Sequence, residues 1–120
     1  MKYDRYRILS CPFCGRNVEE PGRIEMRFGE TTGGRCECGA VYAYDETGRQ
    51  LGEAFNDALV LLFGGDYDAA YSATEDDYEE ETITYNRKTG RYVQGGASPG
   101  PSPKYLFLKK TNKARKEYNN

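Results

Sequence analysis

Two close cysteine pairs, Cys11-Pro12-Phe13-Cys14-Gly15 and Cys36-Glu37-Cys38-Gly39, constrain this 120-residue chain more than any other feature. Each pair can present two thiolates to one tetrahedral metal ion, and an ion shared between them would fix the path of the chain from one pair to the other. The chain has no histidine, so a zinc site here is all-thiolate, with a closed coordination sphere and no position for water. That argues for a structural ion rather than a catalytic one. Pro12 and the glycine after each pair suit a tight turn whose amides point back at bound sulfur, and glycine accepts positive φ without a Cβ clash. The second pair has only one residue between its thiols, and 21 residues separate Cys14 from Cys36, slightly more than the usual spacing of such paired motifs.

CPFCG and CECG resemble the two knuckles of the zinc-ribbon superfamily, in which the strands joining and following the knuckles form a small sheet pinned by one metal. The resemblance implies metal-binding roles for Cys11, Cys14, Cys36 and Cys38, with one structural zinc as cofactor. The run CECGAVYAYDETGRQLGEAF is also similar to segments of small bacterial zinc-ribbon proteins that have no assigned function. This likeness covers the first half of the chain and speaks to fold, not activity. The C-X-C second knuckle departs from the common C-x-x-C pattern.

Other chemistry for the four thiols stays open at this level. Iron in a rubredoxin-like site needs the same ligands. A disulfide scaffold fits poorly, because MKYDRYRILS has no apolar signal segment and a C-X-C pair cannot easily bridge within itself. A thiol oxidoreductase places its C-x-x-C between a strand and a helix, whereas Gly15-Arg16-Asn17 and Glu20-Pro21-Gly22 read as loop.

The length is that of one compact domain, and the longest apolar run, Ala58 to Phe63, is far too short to span a bilayer. A reducing, cytoplasmic setting with no membrane partner is expected. The net charge of −2 hides a segregation: residues 1–50 sum to 0, residues 51–81 to −10 and residues 82–120 to +8. Such blocks either pair within the protein or form separate surfaces.

The fold expected is α+β: an N-terminal zinc ribbon of short antiparallel strands, an αα-hairpin, then a β-hairpin and a flexible basic C-terminal tail. Ile24 to Phe28 alternates apolar and polar, Gly33-Gly34 reads as the turn before the second knuckle, and Ala40 to Tyr44 reads as the next strand, closed by Asp45 to Gly48. Tyr6 to Leu9, if extended, adds a third strand. Leu51, Ala54, Phe55, Ala58, Leu59, Leu62 and Phe63 recur at helical spacing, with Val60 and Leu61 widening the apolar face. Gly64-Gly65 ends this helix, and Asp66 is placed to N-cap a second, short one. The acidic Glu75–Glu81 stretch reads as a solvated connector, Thr82 to Val93 as a hairpin, Gly95 to Pro103 as a linker, and Lys104 to Lys109 as a last strand before a basic tail. The corresponding units are 1–50, 51–81, 82–93, 94–103 and 104–120.

No nucleophile with an adjacent base, P-loop or dinucleotide fingerprint is present, and Asp45, Glu46 and Glu53 near the second knuckle are carboxylates of ordinary surface density. The chain therefore reads as a non-enzymatic structural-zinc binding module, in the first instance a protein–protein adaptor, since its eleven tyrosines suit an interface. The alternative partner is nucleic acid or a ribonucleoprotein. Arg87, Lys88 and Arg91 lie beside Tyr85 and Tyr92, and Lys104, Lys109, Lys110, Lys113, Arg115 and Lys116 extend the positive region.

Overall fold

The computed structural model describes residues 8–27, 29–48, 50–95 and 102–111. Their elements run in chain order as strands β1 (Gly22–Met26), β2 (Gly29–Arg35) and β3 (Val41–Asp45), helices α1 (Leu51–Leu62) and α2 (Tyr67–Ser72), and strands β4 (Tyr78–Asn86), β5 (Arg91–Gln94) and β6 (Lys104–Lys110). All six strands form one antiparallel sheet in the order β1-β2-β3-β6-β4-β5. The fold is thus α+β, as its sequence predicts. The hairpin expected over 82–93 is not a separate unit, because β6 joins it to the N-terminal strands.

β6 explains this outcome. Its Lys104-Tyr105-Leu106-Phe107-Leu108 segment is buried at every position, and a strand covered on both faces reads as a continuous apolar run. Val41 to Asp45 pair with Leu108 to Lys104 on one side, and Tyr78 to Thr84 pair with Lys110 to Lys104 on the other. The segment expected to begin a flexible tail is therefore the inner strand of the sheet; the tail proper, from 112, lies outside the described residues. Most of the linker lies outside them too, but Pro103 accepts a hydrogen bond from the Tyr85 amide at 2.9 Å, and the Ser102 amide donates to Thr47 at 3.1 Å.

Two apolar layers sit on the two faces. On one, Val41, Ala43 and Leu108 pack against Ala54, Ala58, Leu59, Val60, Leu61 and Leu62 of α1 and Ala70 of α2, with Ile24, Met26, Phe55 and Tyr78 at the margin. Val60 and Leu61, off the main stripe, are 2 % and 3 % exposed, since they belong to the same packed layer, whose margin includes Ile24 and Met26 of β1 and Tyr67 of α2. The chain reverses between the helices at Gly64 and Gly65, both at positive φ, and Asp66 caps α2 by accepting from the Ala69 amide at 3.0 Å. On the other face, Tyr42, Phe107, Ile83 and Tyr105 meet Leu9, Cys11 and Cys36. The helices and the cysteines thus occupy opposite sides of the sheet.

Three local expectations change. Gly33 and Gly34 are not a turn; they lie within β2, paired with Ala43 and Tyr42. A Cβ on Gly33 would collide with the Tyr42 carbonyl and one on Gly34 with the Tyr42 ring, so these glycines let β3 and its aromatic side chain come close. Glu79 to Glu81 are not a connector either, since β4 already begins at Tyr78 and carries all three. The strand expected over Tyr6 to Leu9 lies largely outside the described residues, and the extended pairing next to it is a single bridge, Ser10 to Asn17.

Leu59→Ala and Leu108→Ala, which truncate the two sides of the helix–sheet layer, should each cost about 2–5 kcal/mol in urea denaturation. Tyr71→Ala, at a residue 64 % exposed on α2, should stay within about 0.5 kcal/mol of the parent.

Candidate metal centre

The first cysteine pair sits in a minimal hairpin. The Cys11 amide donates to the Arg16 carbonyl and the Gly15 amide to the Cys11 carbonyl, both at 2.8 Å, while Val18 donates to Leu9 at 3.0 Å. Gly15 takes φ +80, which closes the turn without a Cβ penalty. The second pair forms the β2–β3 turn, with the Cys36 amide on the Ala40 carbonyl at 2.8 Å and the Gly39 amide on the Cys36 carbonyl at 3.0 Å. Gly39 takes φ +99. Each loop thus closes from a glycine amide onto its first cysteine, and the C-X-C loop does so one residue sooner. The shorter spacing is accommodated by a tighter turn rather than by a displaced ligand.

The two loops bring their sulfurs together crosswise. Cys11 Sγ lies 3.7 Å from Cys38 Sγ, and Cys14 Sγ lies 3.5 Å from Cys36 Sγ. All four sulfurs lie within 4.8 Å of one another. A tetrahedron with metal–sulfur bonds of about 2.3 Å has edges of about 3.8 Å, so the four sulfurs are spaced to hold one ion. The cysteines are free thiols, not disulfides. Among the described residues these four make up the group of metal-ligating side chains with such spacing.

The ligands differ in exposure and in acidity. Cys11 is 1 % exposed and Cys36 8 %, Cys38 is half-buried and Cys14 is open to solvent. Burial pushes the Cys11 thiol up to about 12 against the opposing hydrogen bonds from the Phe13 and Cys14 amides. Burial also raises Cys36, opposed by the Cys38 amide. The Arg16 amide lowers Cys14 to about 7. Amide donors directed at sulfur favour the thiolate, which is the ligand form. An exposed Arg16–Glu37 pair at 3.4 Å spans the two loops.

The other residues singled out in the sequence are dispersed. Asp45 is saturated by its own turn: Oδ1 accepts from the Thr47 amide and hydroxyl, each at 3.2 Å, and Oδ2 from the Gln50 amide at 2.7 Å. It tethers the entry to α1. Lys104 is 5 % exposed and donates from Nζ to Thr84 Oγ1 at 3.1 Å, so it is an interior lysine, away from the exposed cations of the β4–β5 turn. Lys109 lies opposite Glu79, and the Lys110 ammonium sits 4.8 Å from the Phe63 ring centroid. Both lysines line a hollow of about 240 Å³ with Cys38, Gly39 and Leu62. Arg87, Lys88 and Arg91 are exposed at the far end of the sheet, in and just after the β4–β5 turn. Lys113, Arg115 and Lys116 lie outside the described residues.

Sequence reasoning linked Tyr85 with Tyr92 but missed Tyr42 and Tyr44. These two project from alternate positions of β3 onto the cysteine face, where Tyr42 stacks on Phe107 with ring centroids 4.9 Å apart and donates its hydroxyl to the Glu19 carbonyl. The signal was present in the period-two alternation of Val41-Tyr42-Ala43-Tyr44-Asp45.

Comparisons of the chain with protein-family models, with curated proteins and with solved structures find no match.

In metal-free protein at neutral pH, iodoacetamide should modify Cys14 first and Cys11 last, because Cys14 is exposed with a lowered pKa and Cys11 is buried with a raised one. Peptide mapping over a time course reads the order. Equal rates at the two positions would contradict the asymmetry.

Proposed function

We propose that this protein is a non-enzymatic binding module of zinc-ribbon type, whose single zinc ion is structural. The observation that carries this reading is the crosswise meeting of four cysteine sulfurs from two glycine-closed loops, which fills a tetrahedral site with protein ligands alone. Zinc suits four thiolates in that geometry, and a site closed in this way has no open position at which water or substrate would be activated. The ion's part is to tie the loop of Cys11 to the β2–β3 turn and so hold the aromatic face of the sheet in place. No helix among the described residues is long and apolar enough to cross a membrane. Between the two partner classes that the sequence raises, protein and nucleic acid, the grouping of half-buried tyrosines beneath an exposed basic turn favours nucleic acid.

Protein purified without added metal should contain about one equivalent of zinc by elemental analysis, since four thiolates make one tetrahedral site. Cys11→Ser and Cys36→Ser should each abolish stoichiometric zinc and lower the melting temperature, because binding energy at a structural site is folding energy. Iron in place of zinc, with the visible absorption of an iron–thiolate centre, would favour the rubredoxin-like alternative. A metal-free protein of undiminished stability would refute the structural role.

A further inference from the structure

The cysteine face of the sheet continues, away from the metal loops, into a strip of tyrosines drawn from four strands. Tyr44 of β3 and Tyr105 of β6 are register partners with ring centroids 4.9 Å apart. Tyr105 meets Tyr92 of β5 edge-on at 5.7 Å, and Tyr92 meets its register partner Tyr85 of β4 at 4.9 Å. Tyr105 is buried beneath the strip, while Tyr44, Tyr85 and Tyr92 are half-buried. Three rings thus keep part of their surface toward solvent over a rigid base.

Immediately beyond Tyr85 and Tyr92 the β4–β5 turn presents Arg87 and Lys88, and Arg91 opens β5; all three are exposed. The turn is ordered by its own hydrogen bonds. Asn86 Oδ1 accepts from the Lys88 amide at 2.9 Å and the Thr89 amide at 3.3 Å, and Gly90, at φ +69, donates to the Asn86 carbonyl at 2.8 Å. From Thr82 to Thr111 the chain contains no acidic residue. Carboxylates also face the strip: Glu46 and Asp45 act on the Tyr44 hydroxyl, as does the cation of Arg87 in the opposite sense, Glu20 acts on Tyr105, and Glu81 of β4 accepts from the Gln94 side-chain amide of β5 at 3.0 Å. The turn with Arg87 and Lys88 is thus the side of the strip whose charge suits a polyanion.

We infer that the Tyr44–Tyr92–Tyr85 strip and the Arg87-Lys88 turn form a docking surface for single-stranded nucleic acid, with bases on the rings and phosphates along the turn. This deepens the reading of the protein as a binding module and rests on it. Half-exposed aromatic rings on a sheet face offer sequence-tolerant stacking, and adjacent cations bind the backbone through counterion release. The face presents its apolar and cationic groups in separate, adjoining zones, which matches the division between bases and phosphates in a single strand. A duplex hides its base faces and offers only the second of these contacts.

The test is fluorescence anisotropy with labelled oligouridine and oligothymidine of equal length, and a labelled duplex, across a salt series. Both single strands should bind more tightly than the duplex. The exposed-turn variant Arg87→Ala/Lys88→Ala should weaken binding and reduce the slope of log affinity against log salt by roughly 0.7 for each phosphate no longer bound. Tyr92→Leu should weaken binding at least about fivefold while leaving that slope unchanged, and Tyr92→Phe should restore it, since stacking needs the ring and not the hydroxyl. Zinc content and melting temperature measured on the same samples separate the two readings: zinc-loaded, folded parent that binds neither strand at low salt overturns this surface and leaves the structural metal intact. Binding that survives both variants but disappears in Lys113→Ala/Arg115→Ala/Lys116→Ala, or that is as tight for duplex, also overturns it. Nuclease-resistant capture of a protein that depends on Arg87 and Tyr92 would assign the face to a protein ligand instead.

Discussion

Strand β6 comes last among the described strands in the chain, yet it is internal to the sheet, and both apolar layers are organised around it. Leu108 faces α1, while Tyr105 and Phe107 face the cysteine loops. Its neighbours arrive from opposite ends of the sequence, β3 pairing through Val41 to Asp45 and β4 through Tyr78 to Thr84. Removing β6 would leave two small antiparallel pieces, each with an open edge and an uncovered face, and pieces of that size are marginal on their own. Burial on both faces fixes the register of β6, because a one-residue slip would turn Phe107 toward the helices and Leu108 toward the metal loops.

The sheet also divides the molecule's tasks. One face is closed by α1 and α2 with small and branched aliphatic residues, and Ala54, Ala58 and Ala70 allow the helices to sit close. The other face is aromatic and is only partly covered. Near the start of β3 it is roofed by the two cysteine loops, with Tyr42 and Phe107 stacked beneath; farther along it passes into the tyrosine strip. Gly33 and Gly34 matter for the same reason, as their missing side chains make room for Tyr42. The loops cover one part of this face and leave the rest of it half-open.

The charge segregation along the chain is partly resolved by the strand pairing. Glu79 lies opposite Lys109 and Tyr78 opposite Lys110, so the acidic block and part of the basic block are brought side by side at the end of the sheet near Cys38. Both lysines are half-buried, and Lys110 lies over the Phe63 ring, so this end of the basic block is held within the fold. Lys104 is accounted for differently, by burial and a hydrogen bond to Thr84. Among the described residues of the basic block, Arg87, Lys88 and Arg91 lie in and just after the β4–β5 turn, at the opposite end of β4 from Glu79 to Glu81.

Elements with local causes are legible in the residues themselves. The two knuckles follow from cysteine spacing and the glycines behind them, α1 from its three-and-four periodicity, the start of α2 from Asp66 as a cap, and β5 from the turn residues that precede it. The four cysteines placed to hold a metal are legible in the same way, since two short loops encode the donor set in adjacent residues. Long-range pairing emerges only in the assembled fold: β6 inserts between β3 and β4, Glu79 to Glu81 lie in a strand, Gly33-Gly34 is a close approach and not a turn, and Lys104 is interior. The tyrosine strip belongs to this second group, because its rings come from four separate strands. A residue's turn or helix preference acts over a few positions, whereas the partner of a strand edge is set by which distant segment best covers it on both faces.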